Sequence, residues 1–256
     1  MMRIISYNVN GIRAAAREGM FKWLKRQRAD IVCLQETKAQ MAQLQDEIFR
    51  PQGYHCYFVD AEKKGYSGVG IYTKQQPDNI ITQLGWHDAD HEGRYIQADF
   101  GNLSVASIYL PSGSSGDHRQ QIKFDFMQHY EQVLNQQRND GRSYIICGDW
   151  NIVHKEIDIK NFKANQKSSG CLPEERAWLD KLFEQHGWVD AFRVINQQPL
   201  QYTWWSNRGR ARENNVGWRI DYQVITPDLR DKVEKVCVYK DNWFSDHAPL
   251  IIDYAI

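Results

Sequence analysis

Four apolar runs in this chain each carry, at one end, a group that an ordinary strand does not need there. Arg3-Ile4-Ile5-Ser6-Tyr7 runs into Asn8-Val9-Asn10, and Ile31-Val32-Cys33-Leu34 into Gln35-Glu36. Tyr144-Ile145-Ile146-Cys147-Gly148 runs into Asp149-Trp150-Asn151, and Ser245-Asp246-His247-Ala248-Pro249 precedes Leu250-Ile251-Ile252. Runs that are apolar throughout suit strands covered on both faces, as in α/β proteins. Folding alone does not ask for a carboxylate, an amide or an imidazole at each tip. Four such tips are expected to meet in one site.

Further β-rich runs recur at 67–73, 95–100, 103–110, 202–205, 219–226 and 233–239, and the four tips belong to runs 3–9, 30–35, 144–149 and 249–255. Helical spacing over 118–137 places Ile122, Phe126, Tyr130, Val133 and Leu134 on one face. A second helix is expected over 173–186. It opens on Pro173-Glu174-Glu175, carries Trp178, Leu179, Leu182 and Phe183 on one face, and stops at Gly187. Polar loops are expected at 60–66, 111–117, 154–171 and 206–217. The longest two are of a length that compact domains keep for function. There is no linker, repeat or low-complexity tract, so one domain spanning 1–256 is expected, and 256 residues suffice for its core.

Lys and Arg together number 32, as do Asp and Glu, so the chain has no net charge. A nucleic-acid partner needs only a local basic face, so neutrality does not exclude one. Nine Trp and thirteen Tyr exceed what a core alone uses, and aromatics also stack on bases and line sugar pockets. The five cysteines are scattered with no CxxC pair, which fits reduced thiols in the cytoplasm. His87, His91, His118 and His129 lack metal-ligand spacing and are expected on the surface. No apolar leader follows Met1-Met2, and no segment approaches membrane-spanning length.

Asp149 followed by Asn151 can be a simple Asx-turn, or a carboxylate that orients or deprotonates a water with an amide beside it. Asp246-His247 can be a capped turn. An imidazole paired with a carboxylate, however, stays cationic to higher pH and can bind a phosphate. Asp221, in the middle of the run Arg219-Ile220-Asp221-Tyr222, is a candidate partner, because a charge in mid-strand is costly unless paired. Glu36 alone would pass for a surface glutamate, but one or two carboxylates plus substrate phosphate is how Mg²⁺ is commonly held. Residues 202–220 hold four Arg against one Glu, flanked by Trp204, Trp205 and Trp218. With Lys160, Asn161, Lys163, Asn165 and Lys167 they make a surface suited to tracking a DNA backbone. Together the strand tips read as a metal-assisted phosphodiester-cleaving site.

In the same order along the chain, seven motifs resemble the exonuclease III family of AP endonucleases, within the endonuclease/exonuclease/phosphatase superfamily. They are Tyr7-Asn8-Val9-Asn10-Gly11-Ile12-Arg13, Leu34-Gln35-Glu36-Thr37-Lys38, Gly65-Tyr66-Ser67-Gly68-Val69-Gly70, Cys147-Gly148-Asp149-Trp150-Asn151, Pro173-Glu174-Glu175-Arg176, Val216-Gly217-Trp218-Arg219-Ile220-Asp221-Tyr222 and Ser245-Asp246-His247-Ala248-Pro249. The resemblance implies a four-layer α/β sandwich, two mixed sheets face to face with helices outside. It implies Mg²⁺, with Mn²⁺ as a substitute, held by Glu36 with Asn10 and Asp246 at or near the metal. Asp149 would orient or deprotonate water, helped by Asn151. His247, paired with Asp221, would bind the scissile phosphate, Tyr109 would stabilise the phosphate or leaving oxygen, and Asn8 would orient the site. Trp204, Trp218 and Ile220 would line a pocket for a flipped-out, base-less sugar. Arg13, Tyr66, Arg94, Asn161, Lys163, Asn165, Arg208 and Asn215 would touch DNA.

The sequence departs from the family in places. Asn10 stands where one branch has Asp, Arg208 where the vertebrate relative has Met, and Ser112 and Ser115 where that relative has Asn and Arg. The implied activity is incision of double-stranded DNA 5′ to abasic sites by a monomer, with some action on blocked 3′ ends. A sibling confined to 3′ ends is the nearest alternative, and the small Ser168-Ser169-Gly170 favours the endonuclease by leaving room for a sugar. A lipid or inositol-phosphate phosphodiesterase would not need the basic aromatic run. A non-enzymatic DNA-binding module would not need Glu36, Asp149, Asp221 and His247 together.

Overall fold

Two mixed sheets of six strands lie face to face in the computed structural model, which describes residues 1–256. The first contains β1 (Met2–Asn8), β2 (Ile31–Gln35), β3 (His55–Val59), β4 (Val69–Thr73), β13 (Val233–Val238) and β14 (Leu250–Tyr254), in the order β13-β14-β1-β2-β4-β3. The second contains β5 (Asn79–Ile81), β6 (Tyr95–Phe100), β7 (Leu103–Tyr109), β8 (Ser143–Asp149), β9 (Val189–Asp190) and β12 (Asp221–Ile225), in the order β5-β6-β7-β8-β12-β9. A two-stranded ribbon, β10 (Trp204–Trp205) with β11 (Gly217–Trp218), stands apart from both.

The continuous apolar runs have a direct cause. Side chains alternate between the faces of a strand, and here each face meets a different core. Ile4, Cys33, Ile145 and Cys147 point into the layer between the sheets. Their neighbours Ile5, Val32 and Leu34 face outward onto α1 (Ile12–Arg17) and α2 (Met20–Gln27), through Ile12, Trp23 and Leu24. On the other side Tyr144 and Ile146 meet Phe126, Tyr130 and Leu134 of α4 (Asp117–Asn139) and Leu179 of α6 (Pro173–Asp180). Each fully buried Ile or Leu contributes about 1.5–3 kcal/mol, so strands polar on one face would forfeit one of the three cores. The result is the four-layer sandwich. Shorter helices α3 (His87–His91), α5 (Phe162–Asn165) and α7 (Ala191–Ile195) complete it.

Topology gathers the tips. β1 and β2 run parallel with Asn8 opposite Gln35, and β7 and β8 run parallel with Tyr109 opposite Asp149. β12 runs antiparallel to β8 with Asp221 opposite Asp149, and β14 runs antiparallel to β1 with Leu250 opposite Ser6. Strand ends in one direction and strand starts in the other therefore share one rim.

Several expectations need correction. The run 219–226 forms strand only over Asp221–Ile225, so Asp221 opens β12 and is not in mid-strand. Arg219 is drawn away beforehand by buried carboxylates. The run 202–205 pairs only through Trp204–Trp205. The helix expected over 173–186 is α-helical to Asp180 and continues as a π turn over Lys181–Gln185. The loop 154–171 contains a 3-10 turn, Glu156–Asp158, and α5. Strands β3 and β5 and helices α1 and α2 had no sequence expectation. Gly19, at a φ of 89°, splits the two helices into pieces too short for a clear period.

Candidate active site

At the centre of the rim, Asp149 is buried with four partners at hand. Asn8 donates from Nδ2 to its Oδ2 at 2.8 Å, and the Asn151 backbone N–H donates to Oδ1 at 2.9 Å. The Asn151 side-chain amide reaches Oδ2 at 3.3 Å, and Nε2 of His247 lies 3.8 Å from the same oxygen. Burial pushes the Asp149 carboxyl up to about 7, with Asp221 adding to the rise and His247, Asn8 and Asn151 opposing it. His247 is held from the other side, its Nδ1 2.9 Å from Asp221 Oδ2. Burial alone would disfavour the imidazolium, but Asp221 and Asp149 outweigh it and raise His247 to about 10. The other oxygen of Asp221 is buried without a partner, so this carboxylate faces His247 alone.

Asp149, Asp221 and His247 bring potential ligand atoms within 4.8 Å of one another. A histidine kept protonated has no lone pair to offer a metal, so this trio is better read as an internal ion pair with a neighbouring carboxylate. A second constellation lies beside it. Glu36 Oε1 is 2.8 Å from the ammonium of Lys38, which also donates to the Asn10 side-chain oxygen. Asn10 Nδ2 donates to Asp246 Oδ1 at 2.9 Å, and Trp204 Nε1 to Asp246 Oδ2 at 3.1 Å. Burial would raise Asp246, but His247 and the donors from Trp204, Asn10 and Ser245 hold it below the usual carboxylate range. Glu36, Asn10 and Asp246 thus offer hard oxygen donors of the kind Mg²⁺ and Mn²⁺ prefer. That a cation, Lys38, already bridges Glu36 and Asn10 shows the charge this place accepts.

Asn10, Glu36, Lys38 and Asn151 all have positive φ, between 42° and 57°. Non-glycine residues in this region are strained by about 1–3 kcal/mol each, and such residues cluster at functional sites. Asn151 is pinned from behind by a buried ion pair. Lys123 and Glu175 are both fully buried with 2.6 Å between them, and Lys123 also donates to the Asn151 carbonyl at 2.7 Å. Glu175 in turn accepts from the Gly170 and Leu172 backbone at 2.6 and 3.0 Å. One pair therefore sets both the turn after Asp149 and the wall formed by 168–170.

Glu36, Asp149, Asn151, Asp246 and His247 line a cavity of 680 Å³ whose walls include Tyr109, Ser168, Ser169, Gly170, Trp204, Trp218 and Ile220. Gly170 is required there, with a φ of 90° and a Cβ that would fall 2.9 Å from the Asn151 carbonyl and 3.2 Å from the Trp218 ring. Tyr109 keeps its proton, because burial and the charges of Glu36 and Asp149 lift its phenol well above 10. Its hydroxyl can therefore donate. A second cavity of 360 Å³ adjoins the first through Tyr109 and Ser112, with Tyr66, Arg94 and Arg119 in its wall.

The residues expected to touch DNA divide into two groups. Arg13, Lys163, Arg208 and Arg210 are exposed, with free cationic ends or weak contacts. Arg94 is buried, its guanidinium engaged by Glu92, the Tyr109 carbonyl and the Tyr66 hydroxyl at 2.6–2.9 Å, so it braces Tyr66 and Tyr109 and does not present a free charge. Asn215 accepts from Trp205 and donates to Leu200, and Asn165 donates to the Asn161 carbonyl. Of the four arginines in 202–220, Arg219 is inside the protein, bonded to Asp158 and Asp190 at 2.7 Å, and Arg212 is turned inward. His87, His91, His118 and His129 are exposed, as expected.

Comparison with known proteins identifies the family. Residues 5–247 match the Endonuclease/Exonuclease/phosphatase family. The chain belongs to this family. It is 40% identical to the exodeoxyribonuclease of Bacillus subtilis over 254 residues, covering 97% of this chain and 98% of that protein. It is 34% identical to the DNA-(apurinic or apyrimidinic site) endonuclease of Dictyostelium discoideum over 257 residues, covering 97% and 69%. An AP endonuclease from Archaeoglobus fulgidus has the same fold, with a TM-score of 0.89 at 27% identity and 100% of both chains covered. This member of the family is a hydrolytic DNA nuclease of the exonuclease III and AP endonuclease kind. The family is metal-dependent, and the oxygen donors of Glu36, Asn10 and Asp246 at the rim are compatible with that.

Sequence reading of the nuclease missed Lys38, Lys123, Glu175 and Arg119 as parts of the site. Lys38 and Glu175 lay inside motifs that drew notice for their neighbours. Lys123 sits on a helix face among apolar residues, where a lysine reads as a solvated edge; only the buried carboxylate opposite explains it.

Proposed function

We propose that this nuclease hydrolyses double-stranded DNA on the 5′ side of abasic sites, leaving a 3′-hydroxyl, and also trims blocked 3′ ends. The observation that carries the reading is the position of the cavity. Walls of Trp204, Trp218 and Ile220 and the small Ser168-Ser169-Gly170 enclose a space directly beside Asp149 and His247. A sugar without a base can enter such a space, and a pocket with apolar walls can exclude a normal base by shape.

Glu36, with Asn10 and Asp246, would hold Mg²⁺, or Mn²⁺ in its place, and the metal would stabilise charge on the phosphate and leaving oxygen. Asp149, ionised and fixed by Asn8 and Asn151, orients and deprotonates a water. That water attacks phosphorus while the P–O3′ bond breaks, and the 3′ oxygen leaves and takes a proton from solvent to become the hydroxyl. His247, held cationic by Asp221, binds a non-bridging phosphate oxygen, and the Tyr109 hydroxyl donates to the phosphate or the departing oxygen. Every group lies on one chain, which supports action as a single-domain monomer, and five unpaired cysteines support the cytoplasm. No helix is long and apolar enough to cross a membrane.

The test uses a duplex with one synthetic abasic site beside duplexes with recessed and 3′-phosphorylated ends, each with and without chelator. Incision at the abasic site is the expected dominant reaction. Trimming of 3′ ends with negligible incision would replace the reading with that of a 3′-specific sibling.

The surface makes a separate prediction. Arg208→Ala and Arg210→Ala should weaken binding to abasic and intact duplexes alike, each lowering the slope of log affinity against log salt by about one unit. Trp218→Ala should leave that slope unchanged and narrow the preference for abasic over intact DNA. Equal loss on both DNAs would mean that Trp218 serves the core and not the pocket.

A further inference from the structure

We infer that Arg212 is a positioning residue that locks the catalytic loop 245–248 to the basic loop 206–216, and that it does not contact a DNA phosphate. Its guanidinium lies between two indoles, 4.7 Å from the ring centre of Trp205 and 4.7 Å from that of Trp243. From there Nη1 donates to the Ser245 carbonyl at 2.8 Å and, more weakly, to the His247 carbonyl at 3.4 Å. Those two carbonyls flank Asp246 and His247, so one planar group fixes the backbone that presents both side chains.

The rest of the junction is consistent with a rigid unit. Trp205 donates its backbone N–H to the Asp246 carbonyl at 3.1 Å, and Ala248 donates to the Thr203 carbonyl at 2.7 Å. No carboxylate pairs with Arg212, although Asp246 lies near enough to favour its charge, and burial pulls the guanidinium below its ordinary value. Its Nε and Nη2 are shielded from solvent and lack a partner. In this arrangement those two atoms are closed to a phosphate, although the side chain borders a cavity of 650 Å³ together with Trp205 and Trp243. An arginine that gives up hydration without gaining a carboxylate is costly to fold. Here the return is stacking on two rings and a clamp on two carbonyls, which a lysine cannot reproduce because it has no planar fork.

A displacement of about 1 Å in a catalytic group can reduce rate ~100-fold, so loosening this clamp should act on chemistry and not on binding. The inference rests on the site cleaving DNA backbone and is independent of which DNA it prefers. The full-length Arg212→Lys and Arg212→Met variants are compared with the parent on a duplex with a synthetic abasic site and on one with a recessed 3′ end. Single-turnover rates at saturating DNA and saturating Mg²⁺ should fall about tenfold or more on both, while affinity and its salt slope stay unchanged. Trp243 is 52% exposed, so Trp243→Ala removes one side of the sandwich without opening a core, and should lower the rate several-fold in the same pattern. It decides the matter if Arg212 variants fail to fold. A salt slope lower by about one unit with an unchanged saturated rate would overturn the inference and make Arg212 a phosphate contact. An unchanged rate in Trp243→Ala, with Arg212 variants unfolded, would overturn it as well. Failure of the parent to incise abasic DNA while it resects 3′ ends would overturn the endonuclease reading and leave the Arg212 comparison intact.

Discussion

Replacing Glu36 with alanine should abolish most activity, by at least about 100-fold at saturating Mg²⁺, the scale on which single electrostatic groups act in catalysis. The protein should still fold. Glu36 lies beyond the end of β2 at a φ of 57°, its side chain is 17% exposed, and its contacts are with Lys38 and Asn8 at the rim. Alanine adopts the same strained backbone at similar cost, so the substitution adds no new strain. What it removes is the carboxylate opposite Lys38, leaving an ammonium facing Asn10 where a divalent cation would otherwise be held. Chelator should silence the parent protein and Mg²⁺ restore it, and isothermal titration with Mn²⁺ should show a binding event that Glu36→Ala loses. Turnover unaffected by chelator would sink the assignment. Binding of Mn²⁺ by Glu36→Ala at parental affinity would move the metal to the trio of Asp149, Asp221 and His247.

The layered architecture and the site were legible for the same reason. A strand that is apolar on both faces has only a layered solution, and the polar residues at its tip are then the conspicuous exceptions. That argument found Asn8, Glu36, Asp149 and His247, which the fold brings to one rim. It did not work where the signal depended on long-range pairing. Arg212 and Arg219 read as a basic surface because nothing local distinguishes a solvated arginine from one stacked between indoles or bonded to Asp158 and Asp190. Arg94 was misjudged likewise, as its partners lie 2, 15 and 28 residues away. Helices α1 and α2 are six and eight residues long, too brief for a readable period, and Trp218-Arg219-Ile220 extends the apolar/polar alternation of 221–225 upstream of Asp221 although the strand begins only at Asp221.

His247→Ala and Asp149→Asn should each slow cleavage ~100- to 1,000-fold, the range for a single electrostatic or acid–base group. Asp221→Asn should act through His247, so the double variant Asp221→Asn/His247→Ala should be little slower than His247→Ala. Additive losses would show that the two residues, 2.9 Å apart, do not work as a unit. The pH profile separates the roles further. In the proposed mechanism Asp149 acts ionised and His247 protonated, so the rate should climb as pH passes through about 7 and fall as it passes through about 10. Asp221 raises both groups, so Asp221→Asn should move both limbs to lower pH, with the alkaline limb moving further because the direct hydrogen bond is lost. His247→Ala should instead carry the acid limb upward, since the imidazolium that favours the Asp149 anion is gone and Asp221 is left uncompensated. An alkaline limb that stays in place in Asp221→Asn would mean that His247 does not need its proton for the reaction. The phosphate would then have to be held by Tyr109 and the metal alone.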